Sequence, residues 1–369
     1  MNGDPAVVQI VPRLGSPLDG VADYATALAT ALHAAHGIPP VFLCGDPRVL
    51  EGGLDAGIRA LSVDTRSADG FCRALRNLAE RTSGARPVLL LHFVNYGYAD
   101  RGCPFWLVEG LKAWKRVDPR SRLVTMFHEL YASGPPWRSS FWLSPVQRHL
   151  SRELFRLSDA CVTNREQSRN WLSAGRRQSQ SGVTVMPVFS SIGESSGLED
   201  WSRRSRRLVV AGRSGALHRA YGACRSQLIA ACRALDIDEI VDAGARSDPV
   251  PLQVEGVPVR ALGHLPPAEL RGVLASARAG FVDYPSDYLG KSTVFAAYAA
   301  HGLLPVVSWR RGEDEAGLKE GVNYWVPAPG APAPRDPESI ATQARTWYAD
   351  HRLEIQVREY ASLLRGGAG

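Results

Sequence analysis

No CxxC pair occurs in this chain. Its six cysteines, Cys44, Cys72, Cys103, Cys161, Cys224 and Cys232, are scattered, and several lie in apolar segments. That pattern argues against zinc and against a disulfide framework, and fits reduced structural thiols in a cytosolic protein. No run of about 18 apolar residues occurs, so no membrane-spanning helix is expected. The opening MNGDPAVVQIV lacks a basic stretch followed by an apolar one, so no signal peptide is expected. The first loop does not match GxGxxG, because Ser16, Pro17, Leu18 and Asp19 separate Gly15 from Gly20. GKST at Gly290–Thr293 matches the end of a Walker A loop, but Pro285 stands where that loop needs its first glycine. No carboxylate pair is read as a metal site; the one DxD of the sequence, Asp236-Ile237-Asp238, directly precedes the strand EIVDAG. Basic residues are not interleaved with aromatics along one element, so no nucleic-acid partner is expected.

What is present is globular: 369 residues, 45% hydrophobic and 22% charged, enough for two ordinary domains. The net charge of +6, carried mostly by arginine, fits anionic partners such as nucleoside diphosphates or acidic lipid.

The stretch Phe281–Val307 organises the reading. FVDY ends a buried strand, PSDYLG is turn chemistry, STVFAAYAAHG has helical spacing, and LLPVVSW is a second buried strand. A helix N-terminus after a parallel strand offers unpaired N–H groups and a dipole that favours anions. Lys291, Ser292 and Thr293 are expected in that first turn, and a phosphate site is the physical expectation there.

Before it, buried strands at VVQIVP, PVFLCG, PVLLLHFV, SRLVTMF and GVTVMPVF alternate with helices, among them Gly20–His36 with Asp19 as its N-cap. This β-α repetition predicts a doubly wound α/β domain. His92 and His128 fall at or near the carboxyl ends of strands, where such sheets bind ligands. Residues 51–86 read as a loop-rich connection with one helix, and 190–207 as a polar linker. RLVVAGRSGALHRAYG then opens a second α/β unit, with a strand ending at Gly212, Arg213 after it, and a loop bearing His218 and Arg219. The last helix is expected over Pro337–Leu364. The predicted organisation is therefore 1–190, a linker at 191–205, 206–335, and a C-terminal helix in 336–369 that packs back on the first domain.

The order GVADYATALATALHAAHG, TMFHE, VVAGR, LGHLPPAEL, YPSDYLGKS, AAHGLLPVV resembles the retaining nucleotide-sugar glycosyltransferases of the GT-B fold, two Rossmann-like domains facing across a cleft. The resemblance covers most of the chain and is strongest over 205–325. It implies transfer of a hexose from a nucleoside-diphosphate sugar, without metal or bound cofactor, to a glycan, lipid-linked or small-molecule acceptor. It implies that Gly20 lets the backbone approach the donor phosphates and that His128 lies near the transferred sugar. Arg213 and Arg219 correspond to a basic pair, usually arginine then lysine, that clamps the diphosphate, and Gly290, Lys291, Ser292 and Thr293 would meet the phosphates. Two glutamates eight positions apart are usual in this family, and here Leu289 and Ala297 replace them. Asp283 and Asp287 are the nearby acids, offered as sugar or ribose contacts. A lysine-serine pair in this loop, as in Lys291-Ser292, is a variant of the pattern.

His92 and Trp137 are offered as acceptor contacts. Trp106, Trp114 and Trp142 serve either packing or stacking on sugar or lipid. The alternative reading is a non-catalytic binding or scaffolding partner in polysaccharide assembly, which the missing glutamates favour. A phosphorylase would need a pyridoxal-phosphate lysine, and neither Lys291 nor Lys319 sits in such a site. The expected location is cytoplasmic, with peripheral contact at the inner face of the membrane permitted by the basic surface.

Overall fold

Alternate residues of the buried runs point to opposite faces of two largely parallel sheets, each covered by helices. The computed structural model describes residues 7–15, 19–46, 57–81, 87–175, 182–195, 197–245, 249–312, 315–330 and 332–366. The chain forms two units, Met1–Met186 with Glu354–Gly369, and Pro187–Leu353.

The first unit runs β1 (Val7–Val11), α1 (Gly20–His36), β2 (Val41–Cys44), β3 (Arg59–Ser62), α2 (Ala68–Arg81), β4 (Val88–Phe93), α3 (Asn95–Tyr98), α4 (Phe105–Val117), β5 (Leu123–Phe127), α5 (Ser139–Leu157), β6 (Ala160–Thr163), α6 (Glu166–Ser173) and β7 (Val183–Val185). Its seven strands are all parallel, in the order β3-β2-β1-β4-β5-β6-β7. The order reverses between β1 and β4, the point at which such sheets open a crevice for ligands. β3 lies in the stretch the sequence presents as loop-rich. Its RALS is short and only partly buried at the sheet edge, so it lacks the apolar signature of the inner strands.

The second unit runs β8 (Ser205–Arg213), α7 (Ser214–Tyr221), α8 (Arg225–Ala234), β9 (Glu239–Ala245), β10 (Gln253–Val254), β11 (Val257–Ala261), α9 (Pro267–Ser276), β12 (Ala277–Pro285), α10 (Thr293–Ala300), β13 (Leu304–Trp309) and α11 (Pro337–Ala349). Its sheet order is β10-β11-β9-β8-β12-β13, parallel except for the β10–β11 pair, and it reverses between β8 and β12. Leu208 and Val210 enter one apolar cluster with α7, α8 and α11, while Val209 packs in another with α9 and α10. That alternation explains why β8 reads as a continuous apolar run.

Three local expectations change. His218 and Arg219 lie on α7 rather than in a loop. Residues 190–207 are not one linker, because a 3-10 turn forms at Trp201–Arg203 and β8 starts at Ser205. The last helix is two helices, α11 and α12 (Leu353–Arg365), interrupted at Asp350–Arg352 with neither proline nor glycine at the break. α11 packs within the second unit and α12 within the first. There the Tyr24 hydroxyl donates to Gln356 Oε1 at 2.8 Å, and Arg122 Nε donates to the Leu363 carbonyl at 2.7 Å. Among the described residues no helix is long and apolar enough to cross a membrane.

Candidate functional site

In the second unit the predicted cations gather at the carboxyl edge, on both sides of the reversal point. Arg213 ends β8 and is the N-cap residue of α7; Arg219 lies one and a half turns further on, and both are exposed. Gly212, between β8 and α7, has a φ of 138°, a conformation open to glycine. A Cβ at Gly212 would stand 3.9 Å from Val294 Cγ2, which places the first turn of α10 beside the end of β8. A Cβ on Gly244 of β9 would strike the Gly212 carbonyl oxygen at 2.3 Å, so that neighbour too must be glycine.

The stretch before α10 is more ordered than its turn chemistry suggests. Ser286–Lys291 form a 3-10 helix, Ser292 is the N-cap, and α10 begins at Thr293. Lys291 therefore precedes the first turn. The Ser292 hydroxyl accepts from the Phe295 amide at 3.2 Å, and the Ser292 amide donates to Leu289 at 3.0 Å. Gly290 is buried and its carbonyl accepts from the Val188 amide at 2.8 Å. Ser292 is thus occupied as a cap, and phosphate contact through its amide is corrected on that ground. The amides of Thr293 and Val294 open α10, where a helix has no intrahelical acceptor to offer. The Lys291 ammonium and the Arg311 guanidinium lie 5.6 and 5.9 Å from the Tyr288 ring centroid, so two cations share one aromatic face region.

Asp283 takes a different part from the one expected of it. It is 8% exposed, and both carboxylate oxygens are engaged. Oδ2 pairs with Arg219 Nε. Oδ1 accepts from Ser308 Oγ at 2.9 Å and from Cys224 Sγ at 3.2 Å. Burial alone would raise this carboxyl's pKa, but the bonds from Arg219, Cys224 and Ser308 outweigh it and hold it below the usual carboxylate value. The Cys224 thiol is pushed up to about 11 by burial and by Asp283. The structure thus gives Asp283 the part of holding Arg219, with Ser308 and Cys224 on its other oxygen. Asp287 is partly buried near Arg311, with Oδ2 at 4.0 Å from Nε. Leu289 is 1% and Ala297 7% exposed, so apolar packing has replaced the two absent carboxylates.

In the first unit, three side chains line up across the sheet near its reversal point. In the parallel register Gln9 of β1 pairs with Leu90, and His92 of β4 is two residues on, hence on the same face. His92 pairs in turn with Met126 of β5, and His128 is again two residues on. His92 Nε2 lies 2.9 Å from Gln9 Oε1, and His92 Nδ1 lies 3.2 Å from His128 Nε2. The Tyr24 ring of α1 meets His128 edge-on at a centroid distance of 5.2 Å. His92 is fully buried, and burial together with neighbouring His128 pushes its pKa well below the ordinary imidazole value. With no exposed surface and both ring nitrogens engaged, His92 cannot contact an acceptor, which corrects that expectation. His128 is 9% exposed.

Gly20 opens α1, but Asp19 already caps that helix, its Oδ1 accepting from the amides of Val21 and Ala22 at 3.0 and 3.3 Å. Asp19 Oδ2 also pairs with Arg13 at 2.9 Å. A carboxylate thus stands where the Gly20 expectation puts donor phosphates, and Arg13 offsets its charge. Trp137 is 83% and Trp142 69% exposed, whereas Trp114 is buried. Gln9, Tyr24, Cys224 and Ser308 were not singled out from sequence. The available signal was a lone polar residue in an apolar strand, glutamine in VVQIV and serine in LPVVSW. Among the described residues no group of three or more His, Cys, Asp or Glu is placed to hold a metal ion.

No family model matches the chain, and no curated protein matches it. Solved structures do, along nearly the full length. An alpha,alpha-trehalose 6-phosphate synthase from Burkholderia multivorans superposes with a TM-score of 0.59 at 11% identity, covering 98% of each chain. A lipopolysaccharide outer core galactosyltransferase gives 0.53 at 9% identity, covering 97% of this chain and 99% of that one. An alpha-glucosyltransferase in complex with UDP-glucose and abasic DNA gives 0.52 at 13% identity, covering 98% and 95%. Likeness at such identity concerns the fold: this chain has the GT-B fold, two Rossmann-like domains built on parallel sheets.

Proposed function

We propose that the protein is a glycosyltransferase that moves a hexose from a nucleoside-diphosphate sugar to an acceptor with retention at the anomeric carbon. The observation that carries this reading is the cationic set at the reversal point of the second sheet. Arg213, Arg219, Lys291 and the amide-bearing start of α10 occupy the ends of β8 and β12. Negative charge develops on the diphosphate as the glycosidic bond breaks, and preorganised cations and amides stabilise it where it forms. Likeness in fold to a galactosyltransferase and to an alpha-glucosyltransferase solved with UDP-glucose agrees with this reading.

In this reading His128 meets the transferred sugar and Gly20 the donor phosphates. Asp287 remains the acid offered to the sugar or ribose. The acceptor is a carbohydrate, a lipid-linked glycan or a small molecule, with Trp137 and Trp142 as exposed stacking surfaces. The chain works in the cytoplasm, its exposed aromatics and basic surface touching the inner membrane face. Asp236 and Asp238, the one DxD of the sequence, both pair with Arg206, so added chelator should leave turnover unchanged.

The test is titration calorimetry with UDP, GDP, ADP and dTDP, followed by turnover with the corresponding hexose nucleotides. One nucleotide should bind, and Arg213→Ala or Lys291→Ala should weaken it by roughly tenfold to a hundredfold, as loss of a charged hydrogen bond does. Unchanged affinity in both variants would remove the diphosphate assignment. A second reading, a binding or scaffolding partner without turnover, has its own support in the apolar Leu289 and Ala297. Nucleotide binding without transfer to any glycan or lipid acceptor would favour it.

A further inference from the structure

We propose that Gln9 and His92 are positioning residues that commit His128 to one tautomer, with its proton on Nε2. The inference rests on the reading above for the sugar that His128 meets, but the hydrogen-bond order itself does not. Gln9 Oε1 can only accept, so His92 Nε2, 2.9 Å away, donates. A neutral imidazole with a proton on Nε2 has its lone pair on Nδ1. That lone pair faces His128 Nε2 at 3.2 Å, so His128 must donate there. The buried His92 is held neutral by its surroundings, so no second proton disturbs this order. In neutral His128 the lone pair is then on Nδ1.

The consequence is chemical. Toward a sugar hydroxyl, a neutral His128 fixed in this way offers a hydrogen-bond acceptor at Nδ1 rather than a proton. The order is built by the sheet register, which sets Gln9 of β1, His92 of β4 and His128, just beyond the end of β5, side by side. Tyr24 walls the row, its ring edge-on to both histidines at 6.0 and 5.2 Å. The Tyr24 hydroxyl is held by Gln356 Oε1 of α12 and lies 3.3 Å from the Tyr360 hydroxyl. A ring nitrogen's protonation is set by the bond its partner makes, so a glutamine two side chains away controls it.

The experiment is a long-range proton–nitrogen correlation spectrum of the histidine rings in the 15N-labelled full chain. It compares wild type with Gln9→Met and Gln9→Glu. Wild type should show both His92 and His128 with a proton on Nε2 and a bare Nδ1. Gln9→Glu keeps an acceptor and should keep that pattern. Gln9→Met removes it and should give mixed tautomers at both rings. With a hexose nucleotide, Gln9→Met should lower kcat by about tenfold to a hundredfold while KM for the donor stays constant, as misplacement of a reacting group does. Gln9→Glu should restore most of that loss. A wild-type spectrum with the proton on Nδ1 of His128 would overturn the proposal, and so would a Gln9→Met spectrum identical to wild type. If the tautomers respond as expected but no nucleotide sugar is turned over, the glycosyltransferase reading fails and the positioning stands.

Discussion

Asp283 shows how a residue's neighbours decide its part. From sequence it was an acid near a phosphate loop, out of register with the usual carboxylates. In the folded chain it lies beneath Arg219 and is held by Ser308 and Cys224. Asp283→Asn keeps the volume and removes the charge. It should cost about 1.5–3 kcal/mol of stability at neutral pH, the usual contribution of a hydrogen bond to a charged group, measured by denaturant unfolding. The pH dependence has a definite sign. The folded pKa is depressed, so between the folded and unfolded values the unfolded chain binds more protons. The stabilisation is present above the unfolded carboxyl pKa of about 4 and is lost as pH falls through the folded value. The gap between wild type and variant should therefore close in acid; a gap constant from pH 7 to pH 3 would show that the charge is not its source. Arg213 and Arg219 stand out in the sequence through the order of motifs, and Lys291 through the turn that leads into a helix. Ser308 and Cys224 were not, because an apolar strand and a scattered thiol carry no local mark of what lies across the sheet.

At the scale of elements, strands and long helices were legible and helix beginnings less so. The helix expected over Gly20–His36 has those ends in the structure: Asp19 caps it, and Gly37 closes it at a φ of 69°. Ser286–Lys291 reads as a turn from its proline, serine, aspartate and glycine, yet it forms a 3-10 helix because Leu289 and Gly290 are buried within the unit. Such packing has no signature in a six-residue window. Capping gives a test at this scale. Asp19→Ala should lower stability by about 0.5–2 kcal/mol, and Asp19→Asn by much less, since asparagine also accepts from Val21 and Ala22. If donor phosphates approach Gly20, Asp19→Asn should also tighten nucleotide binding by removing a facing negative charge. Equal affinity in wild type and Asp19→Asn would place the phosphates away from α1.

At the scale of the molecule, the chain leaves its first unit after Met186 and returns to it at Glu354. The final helix thus belongs to a unit whose other members end about 170 residues earlier. Local sequence did not mark the break between the last two helices, since Asp350-His351-Arg352 contains no proline or glycine. The reason lies in α12, whose Val357, Tyr360, Ala361, Leu363 and Leu364 are buried. Each large apolar side chain of that face contributes about 1.5–3 kcal/mol when removed from water. A chain ending at Asp350 should therefore lose several such contributions from the first unit alone. Hydrogen exchange should show lower protection in α1, where Tyr24 loses Gln356 and Tyr360, and in β5, which follows Arg122. β8 and β12, with their own core, should keep their protection. Histidine spectra of the shortened chain would add a local readout, because Tyr24 walls His128. Equal loss of protection in both sheets would mean that α12 stabilises the molecule as a whole, and that the division of the chain into two separately stabilised units is wrong.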